Sequence, residues 1–78
     1  MAKQIVVADR GWVFLGDVYS DDQGNKIIND AKVVRVWGTT KGLGELALTG
    51  PTKDTKLDDS GTVRVPSRSV VAVFDCKW

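Results

Sequence analysis

Histidine is absent from this sequence, and cysteine occurs once, as Cys76. Without histidine, neither a Ser-His-Asp nor a Cys-His catalytic arrangement can form, and no imidazole can ligate a metal. A single cysteine allows no disulfide within the chain and cannot supply a zinc or iron–sulfur site. These absences predict a non-enzymatic protein without a cofactor or a metal ion, and they favour a reducing compartment such as the cytosol.

Long apolar runs and an excess of charge of one sign are also missing. No apolar stretch approaches the roughly 18 residues that a membrane-spanning helix needs, and the stretch at residues 5–8 is too short for a signal peptide. Eleven Lys and Arg residues against ten Asp and Glu residues leave a formal net charge of +1. Proteins that coat nucleic acid carry a clear basic excess. We therefore expect no membrane partner and consider nucleic acid an unfavoured one.

What the sequence does contain is the composition of a small folded domain. It has 78 residues, of which 42% are hydrophobic and 27% charged, so we expect a single domain over residues 1–78. A chain of this size without a disulfide or a metal ion has little core, and association of copies is a common remedy. We therefore expect a homo-oligomer.

Short runs of β-branched and aromatic residues separated by turn signals predict a mainly β protein. The expected strands cover residues 4–8, 12–19, 26–28 continuing past a bulge or short turn at Asn29-Asp30 into 32–37, 62–65 and 69–75. Tight connections between consecutive strands favour a small curved antiparallel sheet or barrel of about five strands.

The apolar spacing of Leu43, Leu46 and Ala47 predicts one short helix over about 42–49. Either Thr40 or Gly42 can be its N-cap, and Gly50 followed by proline is typical of a helix end.

The sequence pattern also assigns several residues to the core, to loops or to interfaces. The second strand is apolar on both faces, which predicts a barrel core on one side and a partner chain or terminal segment on the other. Trp12 and Phe14 are interpreted as core, and so is the face of Val34 and Val36. Trp78 is expected at a contact with another protomer. The polar stretch 52–61, which holds Asp54, Asp58 and Asp59, is interpreted as a solvated loop.

The junction between the fourth run and the helix, residues 37–42, combines three properties of an anion site. Gly38 and Gly42 allow a ligand to approach the backbone, and the free N–H groups of a helix start attract anions. Thr39, Thr40 and Lys41 add donors and a charge, and Trp37 offers a stacking face. The pattern is not a P-loop. The alternative is a capped helix after a tight turn, with Trp37 in the core.

Arg35 and Arg64 both fall within predicted strands, where arginine usually lies on a solvated face. If the two converged near Thr39 and Thr40, they would clamp a phosphate or a carboxylate.

The chain resembles a family of small phage-encoded proteins of uncharacterised function. The resemblance covers roughly residues 11–75. Its residues are Gly11-Trp-Val-Phe-Leu-Gly16, Val34-Arg-Val-Trp-Gly-Thr-Thr40, Gly42-Leu-Gly-Glu-Leu-Ala47, Gly50-Pro-Thr52 and Gly61-Thr-Val63. It implies a viral origin, the host cytoplasm as the site of action, and no assigned activity. By analogy, such proteins are similar in role to counter-defence factors that bind host proteins or sequester nucleotide signals.

The leading hypothesis is therefore an oligomeric binding module that holds an anionic, nucleotide-derived small molecule. Trp37 would stack, Thr39, Thr40, Lys41 and Gly42 would hold the anion, and Arg35 and Arg64 would neutralise it. The alternatives are a protein that docks on a host or phage protein through the same surface and, less favoured, a binder of single-stranded nucleic acid.

Overall fold

Runs of Val, Ile, Phe and Leu form the first strands, as their β-propensity predicts. The structure, a computed structural model, describes residues 2–36 and 42–78. Its elements are β1 (Ala2–Ala8), β2 (Val13–Ser20), β3 (Lys26–Val36), α1 (Leu43–Thr49), β4 (Lys56–Val65) and β5 (Val70–Asp75), with 3-10 turns at Asp9–Gly11 and Ser67–Ser69.

The strands form one antiparallel sheet in the order β4-β3-β2-β1-β5. Within the described residues β4 and β5 remain the two edges, so the sheet is not closed into a barrel. This confirms the predicted mainly β class, with five strands and one short helix. No helix in the described part of the chain is both long and apolar enough to cross a membrane.

The β2–β3 hairpin is held by the carboxylate of Asp21. Its Oδ1 accepts the backbone N–H groups of Gln23 and Asn25, each at 2.9 Å, and its Oδ2 accepts the Asn25 side-chain amide at 3.0 Å. The bond from that amide is the main cause that lowers the pKa of Asp21. Gly24 supplies the positive φ of 80° that the turn requires, as its place in the loop predicts.

The predicted irregularity at Asn29-Asp30 is a β-bulge that interrupts the pairing of β3 on both sides. Asp30 has a φ of 51°, and β2 passes the bulge at Gly16 with no room for a side chain. A Cβ on Gly16 would lie 2.7 Å from Ile28 Cγ2 and 2.8 Å from the Asn29 carbonyl oxygen. A glycine is therefore required at this approach.

The sheet is apolar on both faces, and each face has its own core. Inside the curl lie buried residues of β1 to β4, which are Val6, Ala8, Phe14, Val18, Ile28, Ala31 and Val65. On the outer face α1 packs on the sheet, and the buried residues there are Ile5, Val13, Leu15, Val34, Leu43, Leu46 and Ala47. The second apolar face of β2 is thus covered by a helix of the same chain, which the sequence did not predict there, and by the C-terminal segment, whose Cys76 packs against the same core.

The last three residues fasten α1 to β1. The Cys76 N–H bonds to the Lys3 carbonyl at 3.1 Å, and the Lys77 N–H bonds to the Ala47 carbonyl at 2.8 Å. The Trp78 indole donates its Nε1–H to the Leu46 carbonyl at 2.6 Å, and the Lys3 ammonium lies 4.0 Å from the centre of the indole ring. Trp78 therefore has partners within its own chain and is still 37% exposed, and the expected contact with another protomer stays a prediction.

Strand β4 begins at Lys56, although the sequence predicted a loop over 52–61 and a strand only from residue 62. The part of β4 that the sequence did not predict, residues 56–61, is polar because it lies at the edge of the sheet, where its side chains contact solvent. Its backbone pairs with β3, and two exposed ion pairs connect the strands, between Asp59 and Lys32 and between Asp58 and Arg35. Asp58 and Asp59 are therefore strand residues.

Two side chains assigned to the core are exposed. Val36 is 46% exposed and Trp12 is 53% exposed, while their neighbours Val34 and Phe14 are buried. Alternation along a strand indicates the face of a side chain but not its depth, and both residues lie at a strand end.

Candidate functional site

The predicted junction contributes Gly42 to the described structure, whereas Trp37, Thr39, Thr40 and Lys41 lie outside the described residues. Gly42 is the N-cap of α1, with a φ of 78°, and its carbonyl accepts the Leu46 N–H at 3.3 Å. Of the two caps that the sequence allowed, the structure thus has Gly42, which places Glu45 at the third helical position.

The two predicted arginines lie far apart. Arg64 of β4 pairs in register with Ile27, near the start of β3, whereas Arg35 lies near its end. Eight residues separate Ile27 from Arg35, which corresponds to about 25 Å at the rise of a β-strand. A clamp formed by both guanidinium groups is therefore not present, and each arginine has its own surroundings.

Arg35 is engaged by a neighbouring carboxylate. Its Nε lies 2.9 Å from Asp58 Oδ2, and both side chains are at least half exposed. An exposed pair of this kind contributes little to stability, but it compensates the charge that was predicted to neutralise a ligand. The arrangement fits the solvated-face interpretation of Arg35.

Arg64, in contrast, lines a groove at the mouth of the curled sheet. The groove has a volume of about 410 Å³, within the usual range for small-molecule sites. Its apolar lining comes from Ala8, Phe14, Val33, Val63, Val65 and Pro66, and its polar groups come from Asp9, Ser60, Arg64 and Ser69. An apolar floor with few polar groups at the rim is the usual build of a site that orients a ligand.

Trp12 stands at the mouth of this groove as an aromatic platform. Its indole stacks on Phe14 with ring centres 5.8 Å apart and planes inclined by 3°. Phe14 is buried and fixes the orientation of the indole, while Trp12 itself remains 53% exposed. Such a ring offers a rigid π surface to a planar group of a ligand.

The turn that precedes Trp12 has a strained backbone and is closed by hydrogen bonds. Arg10 adopts φ 60° and ψ 23°, and Gly11 follows with a φ of 80°. The turn is bounded by hydrogen bonds from the Ala8 N–H to the Trp12 carbonyl at 2.7 Å and from the Trp12 N–H to the Asp9 carbonyl at 3.4 Å. A left-handed conformation at a residue other than glycine costs on the order of 1 kcal/mol or more. Here it holds Asp9 and Trp12 together at one end of the groove.

Arg64 lies between the groove and the β2–β3 hairpin. It lines the groove and also a smaller pocket that contains Asp21 and Asn25. Its positive charge adds to the hydrogen bonds from Asn25 and Gln23 that lower the pKa of Asp21. The guanidinium is thus close enough to the hairpin to interact with a carboxylate, and Arg64 as a residue also borders the groove.

A second cavity of about 340 Å³ lies among Lys3, Leu15, Leu57 and Trp78. The indole of Trp78 already has partners within the chain. Its N–H donates to the Leu46 carbonyl, and the Lys3 ammonium lies over its ring. We therefore place the candidate site in the groove beside Trp12.

Cys76 and every carboxylate of the described residues except Asp9 are absent from the groove lining. No group of three or more potential metal-binding side chains occurs among them. Burial is the main cause that raises the pKa of the Cys76 thiol above 9.0, so the thiol is protonated and weakly nucleophilic at neutral pH.

Among the predicted site residues that the structure describes, Arg64 lines the groove, whereas Arg35 and Gly42 do not. Sequence reasoning missed Trp12 as a surface aromatic and Asp9 as its neighbour. The one signal for both was position, since Trp12 directly follows the turn Asp9-Arg10-Gly11, where a strand end is often solvent-facing. A comparison with protein-family models and a search of curated proteins return no match.

Proposed function

We propose that the protein is a non-enzymatic binding module that holds an anionic, nucleotide-derived small molecule in the groove beside Trp12. The observation that carries the proposal is the exposed indole of Trp12, fixed on Phe14 at the mouth of an apolar groove that also contains Arg64. A planar base would stack on the indole, and Arg64 would pair with a phosphate.

The biological setting is a proposal as well. The resemblance of residues 34–40 and 42–47 to small phage-encoded proteins supports a phage origin and action in the host cytoplasm. A phage protein that binds a nucleotide without converting it would act by sequestering a host signal. The lack of histidine supports a non-enzymatic role, because the commonest acid–base catalyst is missing.

The groove is tested by calorimetric titration with the four common ribonucleoside 5′-monophosphates and with the matching nucleosides. We expect at least one nucleotide to bind more tightly than its nucleoside. Trp12→Leu lowers the affinity for both by about tenfold, because base stacking contributes about 1–3 kcal/mol. Arg64→Gln removes only the advantage of the nucleotide.

The matched control is Arg68→Gln, which removes an exposed arginine of the Ser67–Ser69 turn that is absent from the groove lining. This variant should bind like the parent. Absence of binding for every nucleotide at millimolar concentration, or equal losses in Arg64→Gln and Arg68→Gln, would contradict the proposal.

A protein-docking function is favoured by a different observation. Strand β5 is an edge of the sheet, and its Val71 and Val73 are 67% and 37% exposed. Exposed valines on an edge strand suit a second copy or another protein. Replacing both with lysine would abolish such an association while leaving nucleotide binding intact, and sedimentation of the parent and the variant separates the two functions.

Single-stranded nucleic acid remains the less favoured ligand. The groove would accept a stacked base, but a net charge of +1 provides little attraction for a phosphate chain. A short oligothymidylate that binds more tightly than thymidine monophosphate, with an affinity that falls steeply with salt, would favour this function instead.

A further inference from the structure

We infer that Asp9 selects the base, and that the groove prefers guanine nucleotides. The inference rests on the proposed function, since it assumes that a base stacks on Trp12. Asp9 lines the same groove as Trp12 and Arg64, and it is the groove's acidic side chain. A carboxylate accepts hydrogen bonds and cannot donate them, so it favours a ligand edge that carries N–H groups.

The position of Asp9 is set by the backbone rather than by chance packing. The Trp12 N–H donates to the Asp9 carbonyl, and Arg10 between them is held in the left-handed region. Strain at a residue other than glycine persists only where the surroundings enforce it, and it is concentrated at functional sites. The turn therefore keeps Asp9 next to Trp12 in the lining of the groove, where its carboxylate would be within reach of the edge of a ring that lies on the indole.

Guanine is the common base whose edge fits this carboxylate best. It carries two adjacent donors, the ring N1–H and the exocyclic 2-amino group, which can bond to the two oxygens of one carboxylate. Adenine and cytosine pair each exocyclic amine with a neighbouring acceptor nitrogen, which a carboxylate would repel. Arg64 remains available for the phosphate, so one nucleotide would use both charged groups of the groove.

The test compares guanosine and inosine 5′-monophosphates, which differ only in the 2-amino group. We expect the parent protein to bind the guanosine nucleotide about tenfold more tightly, the size expected for one hydrogen bond to a charged group at an exposed position. In Asp9→Asn this ratio falls to about one. Asp22→Asn, which alters an exposed carboxylate of the hairpin loop, keeps the tenfold ratio.

The outcomes separate the two proposals. If both nucleotides bind and depend on Trp12 but the parent shows no preference, the assignment of Asp9 is overturned and the groove stands. If the preference exists but survives Asp9→Asn, another group reads the base and the assignment is likewise wrong. If neither nucleotide binds, the proposed function fails together with the inference. Circular dichroism of Asp9→Asn confirms that the turn substitution leaves the fold intact.

Discussion

At the scale of single residues, Gly50 ends α1 at a point where the backbone lies close to the ring of Trp78. Its φ is 89°, and its N–H bonds to the Leu46 carbonyl at 3.0 Å. A Cβ at this position would lie 3.2 Å from the Trp78 ring. The backbone conformation therefore favours glycine here, and a side chain would in addition crowd the indole ring.

We expect Gly50→Ala to lower the free energy of unfolding by about 2 kcal/mol, because it places an L-residue in a conformation that only glycine adopts readily. The matched control is Gly44→Ala within α1, where a Cβ meets no atom within 4 Å. This second change raises stability by about 0.5 kcal/mol through helix propensity. Urea denaturation of both variants provides the measurement, and equal effects would refute the account.

At the scale of elements, the seven-residue helix α1 depends on its contacts with the rest of the chain. A helix of this length is not stable alone in water. Its apolar side chains lie on the sheet, and the carbonyls of Leu46 and Ala47 near its end accept hydrogen bonds from Trp78 and Lys77. The last residues of the sequence thus take the place of a further helical turn.

Trp78→Ala removes one of these hydrogen bonds and the contact with Lys3, and we expect it to lower the free energy of unfolding by about 2 kcal/mol. Lys77→Ala is the control, because Lys77 contributes only its backbone N–H, and it should be close to neutral. Thermal unfolding separates the two variants. A loss in Lys77→Ala as large as that in Trp78→Ala would show that the tail acts through charge instead.

The elements also show what a sequence of this kind allows one to predict. The apolar runs predicted β1 and β2, and the spacing of Leu43 and Leu46 predicted α1. The first half of β4 was missed because its residues carry no β signal of their own. They form a strand because their backbone pairs with β3, with Asp59 opposite Lys32 and Asp58 opposite Val33, and this register is set by the sheet and not by the residues themselves.

At the scale of the whole molecule, the curled sheet separates two cores that share no buried residue. Ile5 belongs to the core beneath α1, and Ile28 belongs to the core inside the curl, and both are fully buried. The molecule therefore consists of two apolar layers on either side of one sheet, each too small to be stable without the other.

Two conservative substitutions test this arrangement. Ile5→Val and Ile28→Val should each lower the free energy of unfolding by about 1 kcal/mol. The double variant should lose the sum within about 0.5 kcal/mol, because residues without shared contacts act additively. Urea titration of the four proteins completes the cycle. A coupling above about 1 kcal/mol would mean that the sheet transmits repacking between its faces.

The candidate site could be predicted less well than the fold, because it depends on the curvature of the whole sheet. Of the described residues assigned to the site, only Arg64 lines the groove. The groove exists because the curl of the sheet brings β1, β2 and β4 around one space, and curvature leaves no local pattern. Trp12 and Phe14 read as one apolar face, and only the three-dimensional structure shows that the second is buried while the first is exposed.

The close approach of the β3 bulge to Gly16 has a consequence for the evolution of this sequence. The bulge at Asn29-Asp30 and the missing side chain at position 16 depend on each other, because the bulged backbone occupies the space of a Cβ. A lineage that kept the bulge would have to keep the glycine, and one that straightened β3 would be free to replace it. The two features should therefore be inherited together, which makes the pair a signature for finding distant relatives.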